Sequence, residues 1–313
     1  MSGPTNLNQL YSTKLVGLES YFDEMVSLYE AKKFPKVLLL NGKKGIGKFT
    51  LINHFINYIY SKNEETMYNS KDKIINVESI FYNLLSSKTT QDVIFIKAEE
   101  NKNIKIDDIR TLKTTLSNSS LSSNPRFTII DEVEFLNTNS VNALLKTLEE
   151  PSGNNYFILV NNQQSELIET ISSRCLKNNI FLNRAQRKQV VDYLVEDRSI
   201  DNLIDFNEDL SPGLLLRFNE IYLKYKINEN DNIFIKLNTL INAYKKEKNK
   251  TLINLTYFLI ESYFFHKIQK NKNEIEFLLD TKSSIIKIIN DFVQVNLNIN
   301  SVINTIKVKL NDV

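Results

Sequence analysis

A glycine-rich segment near the amino terminus has the residue types and spacing of a phosphate-binding loop. Residues 42–48 read GKKGIGK, which matches the pattern G-x-x-x-x-G-K. Glycines let the backbone curl so that its N–H groups face a phosphate, and the positive end of a following helix adds to the attraction. The pattern predicts that Gly42, Gly45, Gly47 and Lys48 bind a nucleotide, with the Lys48 amine reaching the outer phosphates.

The position after this lysine departs from the pattern. A Ser or Thr is expected there because its hydroxyl ligates Mg²⁺, but the chain has Phe49, and Thr50 follows one place later. A phenyl ring cannot ligate a hard cation that prefers oxygen. Thr50 lies about 100° further round a helix, which makes it a poor substitute. The segment therefore predicts binding of ATP or ADP, with Thr50 beside it, and little Mg-assisted hydrolysis.

Two carboxylates end an apolar segment further along the chain. Asp131 and Glu132 directly follow the apolar residues 127–130. Carboxylates at a strand end beside a phosphate loop hold Mg²⁺ or its waters and polarise the attacking water. Asp131 is thus the predicted Mg²⁺ ligand if a metal binds. Glu132 is a candidate catalytic carboxylate, vestigial in the absence of hydrolysis.

Short apolar runs alternate with amphipathic segments in the first 183 residues. The runs are 37–40, 93–96, 127–130 and 156–160, with a shorter one at 180–182. Helical spacing of apolar residues marks the segments 19–33, 106–116 and 141–148. Strands that alternate with helices indicate a parallel sheet covered on both faces. We expect the strands that carry the loop and Asp131 to be neighbours in this sheet.

The strand signals stop after residue 183. The predicted fold class is α/β followed by all-α, with an α/β nucleotide-binding-like domain at 1–183. A small helical lid is expected at 184–226, where Ser211-Pro212-Gly213 makes a turn, and a helical collar at 227–313. No strand of consequence is expected in these two helical parts.

Composition narrows the class of protein. The 313 residues are 42% hydrophobic and 24% charged, which is typical of a soluble globular protein of two or three domains. The net charge of +2 excludes histone-like bulk binding of DNA. The single cysteine, Cys175, excludes a disulfide or a cysteine-based zinc site within the chain. No signal peptide and no apolar run of ~20 residues is apparent, so a cytoplasmic protein without a membrane span is expected.

Three phrases follow the acidic strand end in a fixed order. They are NALLKTLEEP at 142–151, YFILVNN at 156–162 and ISSRC at 171–175. Their wording and spacing resemble bacterial clamp-loader subunits, which are AAA+ proteins with a P-loop. Within that family, IKIDDIRTL at 104–112 is similar to the delta-prime type of DNA polymerase III. The resemblance covers residues 15 to about 217, and beyond it the chain resembles the family only by being helical.

The resemblance implies roles for two further residues. Asn162 stands at the position called sensor 1, where a polar tip contacts the terminal phosphate or the attacking water. Arg174 lies in the Ser-Arg-Cys motif, which supplies an arginine finger to the ATP of a neighbouring subunit. A guanidinium suits this role because it is always charged and stabilises the charge of a transferred phosphoryl group. As a finger in trans, Arg174 should be exposed at the edge of its domain and remote from Lys48.

The resemblance also implies partners. They are the gamma/tau and delta subunits in a hetero-pentamer, and, through the complex, the sliding clamp and primer-template DNA. The chain would act as a stator of the DNA polymerase III holoenzyme, a DNA-directed DNA polymerase and thus a nucleotidyltransferase. Besides Phe49, two departures from the family pattern matter. Leu214 stands where a sensor 2 arginine is usual, with Arg217 one turn further, and residues 61–91 lack the cysteines of the zinc module found in many relatives.

Two other functions remain open at this point. The chain is an ATP-hydrolysing gamma/tau-type motor in the first alternative, which Asp131 and Glu132 favour and which Phe49 and Leu214 oppose. In the second it is a P-loop kinase of a small molecule, which leaves the Ser-Arg-Cys motif unexplained. His54 and His266 have no nearby cysteine, and both are expected to be packing or surface residues rather than metal ligands.

Overall fold

The computed structural model describes residues 12–97, 103–117, 124–198, 210–271, 274–295 and 297–311. The chain divides into two compact units. Of the described residues, the first unit contains 12–198 and 210–214, and the second contains 215–311. The finer division into a lid at 184–226 and a collar at 227–313 stays a prediction.

The first unit is built on one parallel sheet of five strands. The strands are β1 Val37–Asn41, β2 Val93–Lys97, β3 Arg126–Asp131, β4 Asn155–Asn161 and β5 Leu176–Asn179. The helices are α1 Glu19–Glu30, α2 Lys48–Ser61, α3 Ile80–Ser86, α4 Ile106–Ser117, α5 Thr138–Glu149, α6 Glu169–Ser172 and α7 Arg184–Arg198, with a 3-10 turn at Val133–Phe135. Strand order is β2-β3-β4-β1-β5. The predicted α/β architecture is confirmed.

The sheet has a separate apolar core on each face. Leu38 and Leu40 of β1 pack in the core that α1 and α2 cover, while Leu39 packs in the core that α4 and α5 cover. Successive side chains of a strand point to opposite faces, so a strand that is buried on both sides must be apolar at every position. This is why residues 37–40 form an unbroken apolar run.

The predicted adjacency of the loop strand and the acidic strand is wrong. β1 pairs with β4 and β5, and β4 lies between β1 and β3. The chain order gives the sequence of strands, whereas crossover helices that pack on the two faces set the spatial order. The loop at Gly42 and the carboxylate of Asp131 nevertheless follow the carboxyl ends of two parallel strands, so both lie at the same edge of the sheet.

The last strand also differs from its predicted position. It spans Leu176–Asn179 rather than 180–182. β5 is an edge strand with no buried residue, so its sequence LKNN carries no apolar signal. Ile180 and Leu182 are buried after the strand has ended, and they produced the apolar pattern.

The second unit is helical. Its helices are α8 Pro212–Tyr225, which begins in the first unit, α9 Ile233–Glu247, α10 Lys250–Lys270, α11 Ile275–Val295 and α12 Ile299–Asn311. Asn232 and Asn249 cap α9 and α10 by accepting hydrogen bonds from Ile235 N and Thr251 N. No strand occurs among the described residues of this unit, as predicted. None of the described helices is long and apolar enough to cross a membrane.

His54 is a packing residue, as expected from the sequence. It is fully buried in α2, its Nε2 donates to the Ser12 carbonyl at 3.1 Å, and its Nδ1 accepts from the Tyr68 hydroxyl at 2.9 Å. The carbonyl can only accept, so Nε2 carries the proton of the neutral ring. Burial lowers the pKa of His54 to about 4, and the Ser12 hydrogen bond opposes the shift only in part.

This buried imidazole predicts acid sensitivity of the fold. Below its ordinary pKa of 6.5, His54 binds a proton in the unfolded chain. In the folded chain the ring stays neutral down to about pH 4. The stability contributed by the neutral ring is thus complete above pH 6.5 and falls, by up to about 3 kcal/mol, as the pH drops to 4. Urea unfolding between pH 7 and 4 measures this slope. His54→Gln should flatten it, the exposed His266→Gln should not, and equal slopes in all three proteins would contradict the assignment.

Candidate functional site

The glycine-rich loop connects β1 to α2. Gly45 has φ of 84° and Gly47 has φ of 96°, a backbone conformation that favours glycine at both positions. Lys48 is the first residue of α2, so the free N–H groups at the start of this helix follow the loop directly. The loop has the glycine placement and helix junction that a phosphate cradle requires.

The Lys48 side chain is turned onto the loop itself. Its amine donates to the carbonyl oxygens of Gly42 at 2.7 Å and Lys43 at 2.8 Å, and the residue is only 3% exposed. Burial lowers the pKa of the Lys48 amine to about 8, while Asp131 and Glu134 limit the fall. Two of the three N–H groups of this amine are therefore engaged within the loop.

A turn from late in the chain lies against the loop. Gly213 N donates to Gly45 O at 2.9 Å, and a Cβ at Gly213 would lie 2.9 Å from that oxygen. A Cβ at Gly45 would lie 2.5 Å from Ser211 Oγ. Only glycines permit this approach. Leu214 follows in α8, at the position where the family resemblance predicts an arginine. Arg217, one turn further along this helix, is exposed.

The acidic strand end brings three predicted residues together. Asp131 Oδ1 accepts from Asn162 Nδ2 at 3.1 Å, which joins the acidic position to the predicted sensor 1. Asp131 Oδ2 lies 3.3 Å from Lys97 Nζ. Glu132 has φ of 58° and pairs with Lys44 of the loop at 2.6 Å. Both acidic residues are therefore neutralised by lysines of the chain itself.

Sequence reasoning missed Glu134, Lys44 and Lys97. Glu134 is 8% exposed, and its Oε1 accepts from the backbone N–H of Asn162 at 3.0 Å. Burial raises the pKa of Glu134, and its backbone hydrogen bonds oppose the rise. A third acid two places after Glu132 was the available signal for Glu134. The pairing of Lys44 and Lys97 with the two strand-end carboxylates had no local signal.

Phe49 lies among apolar side chains. Its ring packs edge-on against Phe95 at 4.9 Å between centroids and lines an apolar crevice of about 230 Å³ beside Ile52 and Ile129. Thr50 is half-buried in the first turn of α2. The residues present thus fit a phosphate at the loop backbone, but they do not fit a Mg²⁺ ion held from the start of α2. In the described part of the chain, no three His, Cys, Asp or Glu residues cluster as metal ligands.

Arg174 lies at the other end of the sheet from the loop. It precedes β5, whose first residue Leu176 pairs with Leu38, whereas the loop follows Asn41, which pairs with Asn179. This position agrees with the expected remoteness from Lys48. The side chain is less exposed than expected, at 32%, because it pairs with Glu149 of its own domain at 2.6 Å. The NALLKTLEEP phrase, which contains Glu149, precedes the Ser-Arg-Cys motif, but nothing in the sequence indicated that Glu149 and Arg174 form an ion pair.

Comparison with known proteins finds replication proteins. A family model described as DNA polymerase III, delta subunit, matches residues 17–182. DNA polymerase III subunit delta' of Pseudomonas aeruginosa is 31% identical over 140 residues, which are 44% of this chain and 41% of that protein. DNA polymerase III subunit tau of Bacillus subtilis is 30% identical over 161 residues, which are 51% of this chain and 27% of that protein.

A solved structure and the matched lengths complete the comparison. The crystal structure of a gamma subunit-related protein of DNA polymerase III from Thermotoga maritima has a TM-score of 0.49 and 18% identity, and the match covers 92% of this chain and 98% of that chain. In sequence, this chain spans 41%, 53% and 49% of the lengths of three delta' relatives.

Proposed function

The chain belongs to the DNA polymerase III delta subunit family, and we propose on that premise that it is a delta-prime-like stator of a clamp loader. In this role it braces the ring of subunits and helps to load the sliding clamp onto primed DNA in replication. Its partners are gamma/tau and delta subunits in a hetero-pentamer, and it reaches the clamp and the primer-template DNA through that complex. The compartment is the cytoplasm.

One observation carries the non-hydrolysing role. Phe49 occupies the position of the metal-binding hydroxyl, and its ring is packed edge-on against Phe95. With Leu214 in place of the sensor 2 arginine, the site lacks two of the groups that hydrolysis requires. Nucleotide binding at Gly42, Gly45, Gly47 and Lys48 remains compatible with this role, as a structural ligand rather than as a substrate.

The gamma/tau-type motor is the second candidate, and Asp131 and Glu132 are its support. Both carboxylates are paired with lysines of the same chain, Lys97 and Lys44. A carboxylate that is held in an ion pair is less able to polarise water. The small-molecule kinase has no support beyond the loop itself, because family membership accounts for the loop.

Association in the native cell tests the proposed function. We expect the tagged full-length chain to co-purify with gamma/tau and delta subunits, identified by mass spectrometry, in comparable amounts. The tagged Arg174→Ala chain should recover the same partners, since Arg174 serves the chemistry of a neighbour rather than assembly. Recovery of the chain without any clamp-loader subunit would refute the proposal, and the untagged strain controls for adherent proteins.

A further inference from the structure

The guanidinium of Arg174 is held by two elements of its own domain. Nε donates to Glu149 Oε1 at 2.7 Å, and Nη2 lies 2.6 Å from the same oxygen. Nη1 donates to the carbonyl oxygen of Thr170 at 2.9 Å. Glu149 is the last residue of α5 and Thr170 lies in α6, so contacts from two helices fix the plane of the guanidinium.

These contacts leave a usable pair of donors. A guanidinium has five N–H groups. Glu149 takes one from Nε and one from Nη2, and Thr170 takes one from Nη1, so one N–H remains on Nη2. The second N–H of Nη1 donates to Ser173 Oγ at 3.4 Å, a long hydrogen bond that a phosphate oxygen can replace. Two donors on adjacent nitrogens form the fork that binds a phosphate through two oxygens.

Glu149 lies at a position where its own helix disfavours a negative charge. The carboxyl end of a helix carries partial negative charge, so an acidic residue at the end of α5 is disfavoured there. The ion pair is also solvated, with side-chain exposures of 32% for Arg174 and 44% for Glu149. Solvated pairs of this kind add little to stability. The contact therefore matters for the position of the Arg174 side chain rather than for the stability of the fold.

We infer that Glu149 is a positioning residue, which presents the Nη1 and Nη2 donors of Arg174 to the terminal phosphate of a nucleotide bound by a neighbouring subunit. The inference rests on the proposed function, because it requires such a neighbour. An unrestrained arginine must lose its rotamer freedom when it engages the phosphate. An arginine that is already fixed avoids that loss, which is worth about 2–10-fold per ordered side chain.

Reconstituted clamp loader with ATP, sliding clamp and primed DNA provides the assay. The quantity to follow is the stimulated ATPase that depends on Arg174, defined as the difference between the wild-type and Arg174→Ala complexes. Glu149→Ala should lower this quantity about 2–10-fold. Glu149→Gln should lower it less, since the amide oxygen still accepts. The matched control is Glu150→Ala, which removes the neighbouring exposed carboxylate and should change nothing.

A second background separates positioning from a general structural role. In the Arg174→Ala protein, adding Glu149→Ala should have no further effect, because Glu149 acts only through the arginine. A loss of equal size in both backgrounds would overturn the inference. So would an increase of the ATPase in Glu149→Ala, which would make the carboxylate a competitor for the arginine rather than its support.

A spectroscopic readout on the isolated full-length chain keeps the two hypotheses distinct. The Nε–H of Arg174 should exchange slowly with water in the wild type and in Glu150→Ala, and faster in Glu149→Ala. If Arg174→Ala leaves the ATPase of the complex undiminished, the proposed finger fails, and this exchange rate still decides whether Glu149 holds the arginine. Equal exchange rates in wild type and Glu149→Ala would overturn the positioning role while the finger stands.

Discussion

Replacing Arg174 with alanine is expected to lower the DNA- and clamp-stimulated ATPase of the assembled clamp loader and to leave this chain folded. An arginine finger contributes ~10³–10⁵-fold at the single site that it serves. The loss measured on the whole complex should be smaller, because the proposed finger would serve only one of several nucleotide sites. The fold should persist, since the solvated pair of Arg174 with Glu149 contributes at most ~1 kcal/mol.

The ATPase rate of complexes reconstituted with each variant measures this effect. Arg110→Ala is the matched control, because Arg110 is also a surface arginine in an ion pair, with Asp107 at 3.0 Å. Thermal unfolding and size-exclusion chromatography should give the same result for the wild type and both variants. An Arg174→Ala complex that hydrolyses ATP and loads clamps at the wild-type rate would refute the hypothesis that Arg174 is an arginine finger.

The isolated chain is expected to show no Mg-dependent ATP hydrolysis. The rate should lie far below ~1 per second, the low end of typical enzymes, because Phe49 supplies no oxygen ligand for the metal. Phe49→Thr should restore some Mg-dependent binding of nucleotide without turnover, since Leu214 still lacks a guanidinium. The substitution also removes the aromatic ring that packs against Phe95, so the free energy of unfolding is expected to fall by about 1–3 kcal/mol.

Two controls separate these effects. Phe49→Leu loses the ring but gains no hydroxyl, so it should lose stability without gaining metal dependence. Nucleotide binding followed with and without Mg²⁺ by calorimetry distinguishes the two variants. Turnover by the wild-type chain near ~1 per second would refute the stator role and favour the gamma/tau-type motor.

Much of the first unit could be predicted because its signals are local. The apolar runs at β1, β3 and β4 exist because strands buried on both faces need mostly apolar side chains on both of those faces. The glycines of the loop follow from φ values that other residues rarely adopt, and Phe49 is a difference at one fixed position of a motif. Each of these features depends on neighbours within a few residues.

The sequence by itself determined the parallel α/β domain, the glycine-rich loop with its missing hydroxyl, and the family. Only the tertiary structure decided that β4 separates β1 from β3, that Gly213 lies on Gly45, and that Glu149 holds Arg174 from 25 positions away. The physical reason is that periodicity and backbone conformation are set along the chain. Strand order and charge pairing are set by which distant surfaces fold against each other.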